Sequence, residues 1–172
     1  WIKDNPGQLL ITAGQIAWTT DSEAALRKIE KGGKNAMKLL KKHQTKYLAK
    51  LTDLVRKPLS KVERLKLVAL ITIEVHARDV QERLIQMKCE NENAFPWKSQ
   101  LRFELREEVD SAAAGGAPPA GGMTCRVLQT ETLTPYGYEY QGNNGRLVVT
   151  PLTDKCYMTL TMALHLKRGG AP

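Results

Sequence analysis

His76 and Asp79 have the spacing for acid–base chemistry. They lie three apart in a stretch that reads as helix, so they share a face. A catalytic imidazole also needs a pocket and a third group to orient it. No such group stands out, and a polar cluster that fixes one helix against its neighbour is the better account. Glu74 and Arg78 are four apart and are expected to form a surface pair worth about 0.3–0.5 kcal/mol. His43, among lysines, reads as exposed, and His165 as a packing residue of the last helix. Phosphate chemistry requires a glycine-rich loop whose amides cradle the anion, a lysine, and a hydroxyl for Mg²⁺. No GxxxxGK[ST] occurs. Glu30-Lys31-Gly32-Gly33-Lys34 and Lys167-Arg168-Gly169-Gly170 lack the spacing and read as helix ends. Cys89, Cys125 and Cys156 are far apart with no CxxC, which argues against a disulfide framework or a zinc site and suits a reducing compartment.

The elements that must position these residues lie in a chain of 172 residues, 42% hydrophobic and 26% charged, a composition that folds. The net charge is +8, with fourteen Lys/Arg against three Asp/Glu in residues 27–66, a local net of +11. Such a patch suits either a solvated helix face or a basic helical module that docks on an acidic partner and releases steeply with salt. Tyr47 is the sole aromatic residue among the lysines, which disfavours nucleic acid, because single-strand binders stack bases on aromatic rings. The longest apolar run, 67–73, is far short of the roughly 20 residues that span a bilayer. The chain starts at Trp1 with no signal-peptide pattern and stops at Gly169-Gly170-Ala171-Pro172, as an excerpt of a longer protein would.

The pattern predicts a helical front half. A short helix over 6–18 is followed by a capping box, Thr20-Asp21-Ser22-Glu23, and a second helix over 21–30 that Gly32-Gly33 ends. A third runs from Asn35 to Arg56, with Met37, Leu40, Tyr47, Leu51 and Leu54 on one side. Ser60-Lys61-Val62-Glu63 caps a fourth, reaching Lys88, whose middle from Leu67 to Val75 is apolar nearly all round and should be buried on several sides. After the polar break at 90–93, Leu101, Phe103 and Leu105 alternate as in a half-buried strand. Residues 111–122 are Ala/Gly/Pro-rich and read as a surface loop. Strands are expected at 124–130, around Tyr136, Tyr138 and Tyr140, and at 146–149, with a turn at 142–145. Thr150 then caps a helix with Pro151 in its first turn, an apolar face of Leu152, Cys156, Leu160 and Leu164, and Gly169 at its close. Trp18 and Trp97 read as anchors joining helices to the strand section, each needing an acceptor for its indole N–H.

Several strings together resemble the dynein heavy chain family. They are Pro6-Gly7-Gln8 with Gln15-Ile16-Ala17-Trp18, Leu59 to Arg64, Ala69 to Val80, Trp97 to Arg102, and Tyr136 to Tyr140. The most specific is Arg146-Leu147-Val148-Val149-Thr150-Pro151-Leu152-Thr153-Asp154-Lys155-Cys156-Tyr157, followed by Ala163-Leu164-His165 and Gly169-Gly170-Ala171-Pro172. The loop at 111–122 is longer than the family's, and Asn143-Asn144 makes a more polar turn. Val75 to Val80 and the Gly-Gly-Ala-Pro ending look axonemal rather than cytoplasmic.

The resemblance implies a mainly α fold with a small β section. Residues 1–95 would be the helical end of the linker, 96–145 a strand-rich connection, and 146–172 the start of the first AAA+ α/β module, cut off before its Walker A loop. It implies an ATP-driven, microtubule-based motor in a cilium or flagellum (in the cytoplasm, were the chain of the other type). The cofactor would be ATP or ADP with Mg²⁺, whose phosphate and metal ligands lie elsewhere, so the segment alone should be inactive. Partners would be the rest of the heavy chain and its ring, other dynein subunits, and microtubules through distant regions, with no nucleic acid or membrane. Leu147, Val148, Val149, Thr150, Pro151 and Leu152 would pack against adenine, since a base needs an apolar slot with backbone hydrogen bonds at its edge. Without the resemblance the same six residues read as an ordinary strand–helix core junction.

Overall fold

The computed structural model describes residues 1–107, 122–143 and 148–171. Three long helices, α1 (Gly7–Glu30), α2 (Ala36–Val55) and α3 (Lys61–Gln86), pack on one another. A single turn, α4 (Phe95–Lys98), leads into a three-stranded antiparallel sheet of β1 (Arg102–Glu107), β2 (Met123–Gln129) and β3 (Thr132–Pro135), in that order. The last helix is α5 (Pro151–His165).

The two short helices expected at the front are one helix of 24 residues. Thr20 does not cap a new start, because its hydroxyl donates back to Ile16 O at 2.9 Å within the running helix. Leu10 and Leu26, both fully buried, lie on either side of Gly14 and hold the helix together across it. Its close is the one the glycines predicted. Gly32 takes φ +96°, Gly33 N donates to Lys28 O (2.8 Å) and Gly32 N to Ile29 O (2.9 Å), the double bond of a Schellman end. α3 starts as expected, with Ser60 Oγ accepting from Glu63 N (3.2 Å) and Glu63 Oε2 from Ser60 N (2.8 Å).

The apolar core falls into two clusters. One gathers Leu10, Leu51, Leu67 and Leu70, and the other Ala25, Leu26, Met37, Val80, Leu84, Cys89 and Trp97. Buried polar side chains also join α2 to α3. Gln81 Nε2 donates to Gln44 Oε1 (3.1 Å), and Gln44 Nε2 donates to Glu74 Oε2. Glu74 is thus buried and bonded to α2, and the expected Glu74–Arg78 surface pair does not form. Arg78 pairs with its neighbour Asp79 at 2.7 Å. The middle of α3 is also less enclosed than its all-round apolar pattern predicts, since Val68 is half exposed. Two helices cover only part of its circumference. On α2, Lys38, Lys42, Lys46 and Lys50 are exposed, while Lys41 reaches Glu82 of α3 at 2.9 Å.

The sheet joins this bundle through β1. Phe103 N donates to Thr19 Oγ1 of α1 (3.1 Å), and Trp97 lies fully buried against Trp18, with ring centroids 5.2 Å apart. The two tryptophans are the anchors their sequence positions suggested. Neither indole N–H meets an acceptor among the described residues, so ring packing rather than hydrogen bonding sets their positions. The alternation in β1 holds for Phe103 but not at its ends. Leu105 is 45% exposed, whereas Arg102 is buried, its guanidinium 5.8 Å from the Trp97 ring centroid and 3.7 Å from Glu23.

The third strand is Thr132–Pro135, not the tyrosine run. Tyr138 has φ +54°, outside the extended region, and strand geometry is lost there. Its hydroxyl instead accepts from Cys125 N (2.8 Å), and the Phe103, Tyr136 and Tyr138 rings meet edge to face. Gln8 clasps this segment to α1. Its Nε2 donates to Tyr136 Oη (2.9 Å) and Glu139 O (2.7 Å), and its Oε1 accepts from Gln141 N (2.7 Å) and Gly142 N (3.1 Å). Gly7 sits so close that a Cβ there would lie 2.8 Å from Asn143 Cγ. Residues 111–121 of the expected loop, Asn144 and Gly145 of the expected turn, and Arg146 and Leu147 of the expected strand lie outside the described residues. Val148 and Val149 are not in a strand.

Two outcomes follow. Burial without a cation partner raises the Glu74 carboxyl from 4.5 to about 7. Below pH 4.5 the group is neutral in both folded and unfolded chains. From there to about pH 7 only the unfolded chain loses the proton, so stability falls as pH rises, by about 3 kcal/mol in all, and then levels off. Glu74→Gln keeps an acceptor for Gln44 and removes this slope. Urea denaturation at a series of pH values should find the variant more stable above pH 7 and equal near pH 4; parallel profiles would rule the account out. Gln8→Ala should destabilise by about 1–2 kcal/mol and speed amide exchange at Gly142, with Lys88, at the far end of α3, as the unaffected reference.

Candidate functional site

The sequence points to the turn where residues 148–150 enter α5, and its geometry follows from local chemistry. Thr150 is in extended conformation and its Oγ1 accepts from Thr153 N (3.3 Å), while Thr153 Oγ1 accepts from Thr150 N (3.4 Å). Pro151 fills the first helical position, where a missing N–H costs nothing. The capped turn is therefore fixed from both sides. At the other end α5 closes earlier than Gly169. Lys167 takes φ +54°, and Arg168 N donates to Ala163 O (2.8 Å). His165 is exposed rather than packed.

The five candidate residues that the structure describes, 148–152, do not share one face. Val148 and Leu152 are 73% and 71% exposed, bare aliphatic side chains on the outer side of the turn. Thr150 is exposed with its hydroxyl engaged in the cap. Val149 lines a partly open cavity of about 270 Å³, and Pro151 lines a second of about 250 Å³. Leu147 lies outside the described residues. The apolar stripe of Leu152, Cys156, Leu160 and Leu164 is open too, because α5 has no buried residue.

The inner side of α5 faces the helical body. The 270 Å³ cavity lies between α1, α3 and the first turns of α5, with Trp18, His76, Phe103, Asp154 and Tyr157 on its walls. Burial holds the His76 imidazole below its ordinary value; the Asp154 carboxylate opposes that shift and the Arg83 guanidinium adds to it. His76 and Asp79 do not form a dyad, since the Asp79 carboxylate accepts from Arg78 Nε (2.9 Å) and Nη2 (2.7 Å). His43 is exposed, as its lysine-rich surroundings suggested.

Sequence reasoning missed the groups that hold α5. Arg83 Nη2 donates to Asp154 Oδ2 at 3.2 Å, and Thr161 Oγ1 donates to Gln129 Oε1 at 2.9 Å. These pairs lie 71 and 32 residues apart, so no local pattern marks them. Among the described residues no group of His, Cys, Asp or Glu could hold a metal ion, and no helix is long and apolar enough to cross a membrane. Cys89 and Cys125 are buried and free, and Cys156 is free and partly exposed.

The family described as "Hydrolytic ATP binding site of dynein motor region" matches residues 136–172, the stretch that contains this turn and α5. The chain is 52% identical over 172 residues to "Dynein-1-beta heavy chain, flagellar inner arm I1 complex" of Chlamydomonas reinhardtii. It is 47% identical over 173 residues to "Dynein axonemal heavy chain 2" of Homo sapiens, and 38% over 172 residues to "Dynein beta chain, ciliary" of Tripneustes gratilla. Each match takes in the whole chain and spans 4% of the relative's length. With the ATP-site family at its carboxyl-terminal stretch and relatives of this kind along its full length, the chain is a segment of the dynein heavy chain family, of the axonemal type.

Proposed function

We propose that this segment joins the end of a dynein linker to the first ATP-binding module of the motor and supplies the adenine side of that module's pocket. Residues 1–95 are the linker end, 96–145 the connection, and 146–172 the start of the module. The parent heavy chain hydrolyses ATP in the axoneme of a cilium or flagellum and moves along microtubules that it binds through distant regions. Its partners are the rest of that chain and the other dynein subunits.

The observation that carries this is the capped Thr150–Pro151 turn, flanked by the exposed side chains of Val148 and Leu152 inside the stretch matched by the ATP-site family. Large aliphatic groups on a rigid turn cost free energy in water, and a flat base is a partner of the right chemistry. The fit extends to the base alone. Phosphates and Mg²⁺ need a cradle of amides, a cation and oxygen ligands. The described residues hold no His, Cys, Asp or Glu group fit for a metal ion, and we assign the phosphate and Mg²⁺ ligands to other parts of the heavy chain. The bound nucleotide supplies the phosphoryl chemistry. Val148, Thr150 and Leu152 orient its base and exclude water from one face. On its own the segment is inactive.

Thr150→Asp is a clean probe, because Asp also caps a helix and the turn survives the change. The added charge puts a desolvation penalty beside the base. In the intact motor, ADP binding at this module should weaken roughly tenfold, measured by displacement of a fluorescent ADP. Wild-type affinity in that variant would remove the adenine assignment.

A further inference from the structure

No residue of α5 is buried, so close packing does not fix the stance of its first turn. Two polar contacts do. Arg83, in the last turn of α3, reaches Asp154 in the first turn of α5 at 3.2 Å, and Gln129, at the end of β2, accepts from Thr161 at 2.9 Å. Asp154 and Thr161 are two helical turns apart and lie on one stripe about 10 Å long. Gln129 is itself held, 2% exposed and donating through Nε2 to Ser99 O (3.1 Å).

The ion pair stands between open spaces. Asp154 lines both the cavity of about 270 Å³ on the His76 side and the cavity of about 250 Å³ on the side of Met87 and Phe95. A helix base with unfilled volume on either side and one charged contact between them can tilt about that contact. The charges also suit the helix ends. The carboxylate sits at the positive start of α5 and the guanidinium at the negative finish of α3, so the two termini attract. His76 is the other titratable group of α3 facing Asp154, with Asp79 beyond it paired to Arg78. Burial disfavours the charged form of His76, and the hydrogen bond that Asp154 accepts comes from Arg83.

We propose that Arg83 is a positioning residue for nucleotide binding: through Asp154 it sets the angle of α5 and of the Val148–Leu152 turn, so that a displacement of α3 alters affinity for the nucleotide. This rests on the adenine-wall assignment of the same turn. Arg83 touches no ligand and acts through the helix it holds. The contact is a single N–H to oxygen bond, so a lysine can replace it.

The test uses the intact motor, with ADP affinity at this module and the KM and kcat for ATP as readouts. Arg83→Gln and Asp154→Asn should each weaken ADP binding and raise KM about fivefold with kcat unchanged, within the usual span of coupling between sites. The double variant should be no weaker than either single one, and Arg83→Lys should stay within about twofold of wild type. A merely structural loss would lower the fraction of active sites and leave KM alone. Unchanged ADP affinity in both single variants, with Thr150→Asp still weakening binding, overturns the role of Arg83 and leaves the adenine wall standing. Additive losses in the double variant overturn it as well. If Thr150→Asp has no effect, the wall and this inference fall together.

Discussion

Trp97 has no exposed surface and lies 5.2 Å, ring to ring, from Trp18, and through that contact the single turn of α4 is fixed to the long helix α1. Much else hangs on α4. Lys98 O accepts from Thr130 N (2.7 Å) at the tip of the β2–β3 hairpin, and Ser99 O accepts from Gln129, whose other amide atom holds α5. The path from α1 to α5 through the sheet is therefore continuous: two tilted indoles in contact, one helical turn, one glutamine. An aromatic pair contributes about 0.5–1.5 kcal/mol beyond the area it buries. Here it also decides whether the hairpin and the last helix have a fixed base.

The bundle behind that joint is held together in an unequal way. Its two apolar clusters are ordinary, but α2 and α3 also bury Gln44, Glu74 and Gln81 against each other. A row of amides and one carboxyl contributes less than leucines would, since an unpaired buried polar atom costs about 1–3 kcal/mol, and Gln81 Oε1 has no partner among the described residues. What such a row supplies is register. Gln44 must meet both Glu74 and Gln81, and sliding α2 along α3 by one turn breaks both bonds.

The parts of this architecture that follow from neighbouring residues were legible in the sequence. The Ser60 capping box, the Gly32 helix end, the Thr150–Pro151 start of α5 and the mainly α fold with a small sheet all depend on groups within a few positions of one another. Local patterns misled where tertiary contacts overrode them. Thr20 looked like a cap but bonds back into its own helix, and the alternating tyrosines looked like a strand until the positive φ of Tyr138 turned the chain. The helix ends at Lys88 and Lys167 use lysine in the left-handed conformation, where the sequence offered glycine only later or not at all. The Thr150 turn was legible as a place. That Val148 and Leu152 face outward while Val149 and Pro151 face cavities was not, because it depends on where α3 ends.

At its margins the small sheet meets groups that are not strands. Beside β1, the amide of Phe103 is taken by Thr19. Past the end of β3, Cys125 gives its N–H to the Tyr138 hydroxyl and its carbonyl to Tyr136 N (3.0 Å), and β3 stops after four residues at a proline. An edge strand of four residues that ends in proline offers only a short template for another strand. Where many copies stand side by side, so short an edge gives self-association little length to build on.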